Sequence, residues 1–151
     1  MQITRQTEYA VRTVLELSGL PYGEFIQIKD VAEKHKIPEM FLKKTVQVLA
    51  RSGLVVTQRG TNGGIRLARS ADKITLVDVY AAIEGQLALN VCLAENYQCE
   101  NQATCQIHRI LCRAQDALVR ELSKEPFADI AVKSNSGTEI YGEELIQISR
   151  V

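Results

Sequence analysis

The sequence predicts a mainly helical fold that carries one small β-hairpin. Apolar residues recur at helical spacing through Thr4–Leu20 and again through Glu39–Ser52. The period switches to that of strands at Leu54, and a long stretch from Ala103 to Lys124 returns to an unbroken helical stripe. In the first helix Tyr9, Ala10, Val11, Val14, Leu15 and Leu17 supply the apolar side, and Gly19-Leu20-Pro21 ends it. Phe25-Ile26-Gln27-Ile28 is a short β-prone run. Lys29–His35 follows as a helix of two turns, and Lys36-Ile37-Pro38 makes a turn with Ile37 as its apolar anchor. Pro38 suits the first position of the next helix, which buries Phe41 or Leu42 together with Val46, Leu49 and Ala50 and stops at Gly53.

Leu54–Gln58 and Ile65–Ala68 then read as paired strands. Between them, Arg59-Gly60-Thr61-Asn62-Gly63-Gly64 has the glycines a tight hairpin loop needs for positive φ. Thr75-Leu76-Val77-Asp78 has the form of a capping box for a helix to about Ile83. Residues 85–102 are irregular. The helix from Ala103 to Lys124 carries Ile107, Ile110, Leu111, Ala114, Ala117, Leu118 and Leu122 as one stripe, and Pro126 closes it. Helix, three-residue turn, helix and glycine-tipped hairpin together make a winged helix-turn-helix, with a long helix appended. Residues 1–84 form that first unit, residues 85–105 a cysteine-bearing loop, residues 103–130 the long-helix region, and residues 131–151 a tail to which no structure is assigned.

Composition narrows the function classes. With 151 residues, 46% hydrophobic and 24% charged, the chain is an ordinary soluble globular protein of about one domain. The N-terminus has no signal-peptide pattern and no stretch reaches the roughly 18 apolar residues that span a bilayer, so a cytoplasmic location and no membrane partner are expected. There is no Cys-x-x-Cys pair, no Ser-His-Asp-like set and no paired-carboxylate arrangement, and the histidines are His35 and His108 alone. Enzymatic activity is not expected.

Charge is balanced overall, yet between Lys29 and Arg69 nine Lys/Arg stand against Asp30, Glu33 and Glu39. Salt confines each charge to about 10 Å, so a local basic field attracts a polyanion even on a neutral chain. Placed on a helix-turn-helix, that field points to double-stranded DNA. Residues near the N-terminal end of the second helix meet base edges in the major groove. Here those are Pro38, Glu39, Met40, Lys43 and Lys44, with Gln47 and Arg51 further along touching the backbone. The hairpin tip Arg59, Gly60, Thr61 and Asn62 reaches the adjacent minor groove or phosphates. The competing reading is a helical domain that binds a protein partner, its lysines serving solubility.

Cys92, Cys99, Cys105 and Cys112 all lie within one short segment, and the first 91 residues contain no cysteine. In a reducing compartment clustering of this kind favours a metal, a cluster or redox chemistry over disulfides, while buried inert thiols are the plainer alternative. The gaps between the first three cysteines are wider than the tight pairs of structural zinc sites and suit a bulkier centre. On a helix Cys105, His108 and Cys112 fall within about 60° of one another, on the side opposite the apolar stripe.

These motifs together resemble a family of bacterial winged-helix regulators that includes IscR, NsrR, RirA and CymR. The likeness covers residues 1–130. It rests on Ile3-Thr4 and Glu8-Tyr9-Ala10-Val11, on Phe41-Leu42, Leu49 and Gly53-Leu54-Val55, and on Arg59-Gly60, Gly63-Gly64 and Leu67. The three spaced cysteines and Cys105-Gln106-Ile107-His108 complete it. The resemblance implies a homodimer made by antiparallel long helices, with one winged helix per subunit on each half-site. It also implies an iron–sulfur cluster, [2Fe-2S] in preference to [4Fe-4S], held by Cys92, Cys99, Cys105 and His108, with Cys112 or a partner subunit's Glu8 as alternative fourth ligands. DNA affinity would then answer to iron, oxidants or nitric oxide. The alternative within the class is a cluster-free regulator that senses oxidants through thiols or holds zinc. Departures from the family pattern are Thr61-Asn62 at the wing tip, Lys43 in place of an acidic residue, one extra residue between Cys92 and Cys99, Leu111 in place of Trp, and the additional Cys112.

Overall fold

The computed structural model describes residues 3–135, so the expectation that residues 131–151 form a tail lies outside the described residues from 136 onward. The first helix, α1 (Arg5–Ser18), is capped by Thr4, whose hydroxyl accepts the Thr7 N–H. Its Ala10, Val14 and Leu17 are buried, as the spacing predicts. Next, α2 (Ile28–His35) ends with Lys36 at φ 53°, a left-handed conformation that costs a non-glycine residue about 1 kcal/mol or more. Two bonds hold it there: the Lys36 N–H donates to Glu33 O, and the Ile37 N–H reaches back 2.9 Å to Ala32 O. Ile37 is buried and anchors the turn.

The second helix of the pair, α3 (Glu39–Arg51), buries Leu42, Thr45, Val46 and Leu49. Leu42 is the core residue of the Phe41-Leu42 pair, because neighbouring positions differ by 100° around a helix and only one can face inward; Phe41 is half-exposed and Ala50 only half-buried. Pro38 is the N-cap rather than the first helical residue. Gly53 at φ 75° turns the chain into β1 (Val55–Gln58), which pairs antiparallel with β2 (Gly64–Leu67) in the register Val55↔Leu67 to Gln58↔Gly64. Leu54 and Ala68 fall just outside these strands. Ile26, from the β-prone run, adds a single rung by exchanging both backbone hydrogen bonds with Ile65 at 3.0 and 2.8 Å.

The helix α4 (Leu76–Glu84) starts from Thr75, whose N–H donates 2.8 Å to the Asp78 carboxylate, as the capping pattern predicts. The long helix α5 (Gln106–Leu122) starts later than the periodicity suggests, with Cys105 as its N-cap. A final helix, α6 (Phe127–Asn135), is absent from the sequence-based expectation. It folds back onto α1: the Phe127 N–H donates 2.8 Å to Ile74 O, and the Phe127 ring is fully buried in the core with Val14, Val46 and Leu49. The three buried threonine hydroxyls are satisfied, Thr13 by Tyr9 O, Thr45 by Phe41 O and Thr7 by Glu84. Between α1 and α2, Glu16 accepts from Lys34 at 2.7 Å and contacts the His35 ring at 2.9 Å. Partial burial disfavours its charge, but the bonds from Lys34 and His35 outweigh that and hold its carboxyl below the usual range.

Because Phe127 is a large side chain fully buried where α6 meets α1 and the turn at Ala71–Lys73, Phe127→Ala is expected to cost about 3–5 kcal/mol. Chemical denaturation of the two proteins measures it, and a loss under 1 kcal/mol would show that α6 is dispensable packing.

Candidate DNA interface and cysteine site

The burial of one side of α3 decides what its other side offers. Opposite Leu42, Thr45, Val46 and Leu49 stand Met40, Lys44, Gln47 and Arg51, all exposed. Two clefts flank this crest. One, of about 390 Å³, runs between the start of α2 (Gln27, Lys29), the α3 residues Glu39 and Lys43, and the wing from Thr57 to Gly60. The other, of about 360 Å³, lies between Arg5, Gln6 and Tyr9 of α1 and Phe41, Lys44 and Thr45 of α3. The Lys44 ammonium sits 5.9 Å from the centre of the Phe41 ring. The second cleft brings in residues the sequence reading had not singled out. Phe41 is half-exposed and flanks the crest, and the alternation of the helix could not by itself assign it there.

The basic field is smaller than the residue count implies. Lys29 pairs with Glu33, Lys34 with Glu16, Lys43 with Glu39 at 2.6 Å and Arg69 with Asp78. The Lys43 hydrogen bond holds the Glu39 carboxyl below its usual range. Of the nine, Lys36, Lys44, Arg51, Arg59 and Arg66 have no salt-bridge partner among the described residues, and Lys44, Arg51 and Arg59 of these lie exposed on the crest or the wing. An exposed pair such as Lys43–Glu39 is screened by solvent and adds little, so Lys43 is free to exchange it for another anionic partner.

Arg59, Gly60, Thr61 and Asn62 are exposed at the hairpin tip. Their position is fixed from outside the hairpin: the Gln27 side chain donates to Gly63 O at 2.8 Å and to Thr61 O at 3.4 Å. Gly63 and Gly64 permit the close approach. A Cβ on Gly63 would strike Gln58 O, and one on Gly64, at φ 133°, would strike Ile26 O. Gln27 has no cap bond to its own helix, which leaves its amide for the wing.

The cysteines are all free thiols and half-buried. Cys92 lies in a short 3-10 turn (Val91–Leu93) and Cys99 in the irregular loop. Cys105 Sγ accepts the His108 N–H at 3.4 Å, and Cys112 Sγ lies 3.5 Å from His108 Nε2. These three do share one side, although Cys105 precedes the helix instead of lying on it. The His108 Nδ1 is buried with no hydrogen-bond partner among the described residues. No three His, Cys, Asp or Glu side chains converge on a metal-sized point among the described residues, although the turn that holds Cys92 packs against α5. Thiols of this number with a nearby imidazole nonetheless have the soft donor chemistry that iron–sulfur clusters and zinc take. Glu8 bonds to Arg12 at 2.6 Å and lies 3.6 Å from Arg5, contacts it would have to release to act as a ligand.

The apolar stripe of α5 is divided. Leu111, Leu118 and Leu122 are half-buried against the body, as are His108 and Cys112, while Ile107, Ile110, Ala114 and Ala117 are exposed. The loop from Gly85 is tied to α5 where the Leu89 N–H donates 3.0 Å to Gln115. At its root the Glu84 carboxylate accepts from the hydroxyls of Thr4 and Thr7, bonds that lower its pKa. Glu84 thus joins the start of the cysteine loop to the N-cap of α1, a link sequence inspection did not find.

A family model for Rrf2, described as an iron-dependent transcriptional regulator, matches residues 3–133. The chain belongs to the Rrf2 family. Within it, the chain is 37% identical over 131 residues to the HTH-type transcriptional regulator NsrR of Geobacillus kaustophilus, covering 86% of this chain and 89% of that protein. Among solved structures it is similar to CymR, the global cysteine regulator of B. subtilis, with TM-score 0.69 and 26% identity over 87% of this chain and 97% of that one. It also shares the fold of T. potens IscR, at TM-score 0.71 and 20% identity over 96% of each chain. This Rrf2 protein is a DNA-binding transcription regulator and not an enzyme. Among the described residues no helix is long and apolar enough to cross a membrane.

Gly64→Ala should displace the wing, costing about 1–3 kcal/mol of stability and at least ten-fold in DNA affinity. Thermal unfolding with gel retardation checks both, and unchanged DNA binding would separate the wing from the interface.

Proposed function

We propose that this Rrf2 regulator binds double-stranded promoter DNA in the cytoplasm as a homodimer, with α3 in the major groove and the wing alongside, and that an iron–sulfur cluster controls its affinity. Pro38, Glu39, Met40, Lys43, Lys44, Gln47 and Arg51 form the helix contact, and Arg59, Gly60, Thr61 and Asn62 the wing contact. The exposed flank of Ile107, Ile110, Ala114 and Ala117 on α5 supports self-association, since an apolar row of that kind is covered in a stable assembly.

The observation that carries the cluster reading is the row of Cys105, His108 and Cys112 at the head of α5, the helix against which the turn bearing Cys92 packs. Cys92, Cys99, Cys105 and His108 would hold the cluster, of the [2Fe-2S] type in preference to [4Fe-4S], with Cys112 or a partner's Glu8 as alternatives to His108. When bound, such a centre supplies a chemically labile, redox-active group that iron supply, oxidants or nitric oxide can alter. The protein's part is mechanical. Drawing Cys92 and Cys99 toward Cys105 tightens residues 85–104, and Glu84 passes the pull to Thr4 and Thr7 at the start of α1, beside the α3 crest.

A second reading, a cluster-free regulator that senses oxidants by thiols or binds zinc, is favoured by one observation: Cys112 Sγ already lies against His108 Nε2 while no three His, Cys, Asp or Glu side chains converge on a metal-sized point among the described residues. The CymR likeness is compatible with it.

Protein purified without oxygen is expected to show a visible charge-transfer spectrum with iron and acid-labile sulfide, and Cys92→Ala to lose all three while still self-associating. A colourless protein with one zinc per chain would establish the second reading instead. Lys44→Ala is expected to weaken binding to all sequences and to lower the salt slope by about one, whereas Lys43→Ala also relaxes base preference. Retardation of specific and non-specific duplexes at several salt concentrations distinguishes them, and identical effects would reassign the reading residues.

A further inference from the structure

The crest of α3 has one member that does not belong with the others. Lys44, Gln47 and Arg51 offer donors or charge, but Met40, at the N-terminal end of the helix, is 64% exposed and apolar. A single exposed methionine elsewhere on a surface needs no explanation. Here the position does. Met40 lines neither the wing cleft, where Glu39 and Lys43 stand, nor the α1 cleft, where Phe41 and Lys44 stand. It rises between the two, at the end of the helix that reaches deepest into a major groove. Phe41, half-exposed beside it, extends the apolar surface by one ring.

Chemistry then selects the ligand. A thioether chain has no hydrogen-bond donor and only a weak acceptor, so it cannot discriminate guanine, adenine or cytosine by their polar edges. The one apolar group that a base pair presents in the major groove is the C5-methyl of thymine. A flexible, polarisable side chain is well suited to pack on it.

We propose that Met40, with Phe41 next to it in the chain, reads the C5-methyl group of a thymine in each half-site, so that this regulator recognises a base by apolar contact at the N-terminal end of a reading helix whose other crest residues are polar. The inference rests on α3 being the major-groove helix and specifies what one of its positions reads.

The test uses the full chain, with its cofactor as isolated. High-affinity duplexes are selected from a random pool, and each thymine in the selected site is replaced in turn by uracil, which pairs identically but lacks the methyl. At one position per half-site, uracil is expected to lower affinity about four-fold, the worth of one buried methyl-sized group. Met40→Ala should bind the thymine and uracil duplexes equally, and Met40→Gln should shift the selected base at that position from thymine to adenine. Met40 is exposed, so circular dichroism and the melting point of both variants should match the parent. Tolerance of uracil everywhere, or an undiminished penalty in Met40→Ala, overturns the proposal while leaving α3 in the groove. If Ala at Lys44, Gln47 and Arg51 together leaves the affinity for every duplex and its salt dependence unchanged, it is the assignment of α3 itself that fails, and the proposal with it.

Discussion

The burial of Leu42, Val46 and Leu49 against α1 and α2 fixes the rotation of α3, and through it which side chains form the exposed crest of Met40, Lys44, Gln47 and Arg51. Each fully buried aliphatic chain is worth about 1.5–3 kcal/mol, far more than any exposed ion pair on the opposite side. A rotation of one residue would bury Lys43 or expose Leu42, so the core tolerates only one orientation. Surface charges can therefore vary without moving the crest, and the crest can be rewritten without disturbing the core.

How much of this was legible in the sequence follows from which interactions are local. The register of α1, the turn at Ile37, the glycine-tipped hairpin and the Thr75–Asp78 cap rest on spacings of a few residues, and they form where the pattern puts them. Phe41 and Leu42 are both apolar and adjacent, and both lie near α1; Leu42 is the buried one because it shares a side of the helix with Val46 and Leu49. Phe127 and α6 were missed for a different reason. Phe127, Ile130 and Ala131 have helical spacing, but they follow a proline that closes α5, and their partners lie near Ile74 and in α1, far away in the chain. The basic stretch was legible as composition and not as field, since Glu16, Glu33 and Asp78 neutralise part of it.

The cysteine segment shows the same boundary more sharply. Helical geometry correctly grouped Cys105, His108 and Cys112, because i, i+3 and i+7 positions share a side whatever surrounds them. It could say nothing of where Cys92 and Cys99 stand relative to that row, since no period governs an irregular loop. The stripe on α5 likewise reported apolar character and not its division between the body and solvent. Glu84 was invisible for want of any motif: a glutamate at a helix end is ordinary until two threonines from the other end of the domain are found donating to it.

The bonds from Gln27 to the hairpin loop, with the rung between Ile26 and Ile65, splice the wing to the entrance of the helix-turn-helix. Helix and wing consequently travel as one rigid hand whose grip width is set at folding. A signal arriving from the far side of the molecule has little means of opening or closing that hand. In the proposed homodimer what remains adjustable is how each hand is aimed, so regulation there would be a matter of angle and spacing between grips rather than of the strength of either one.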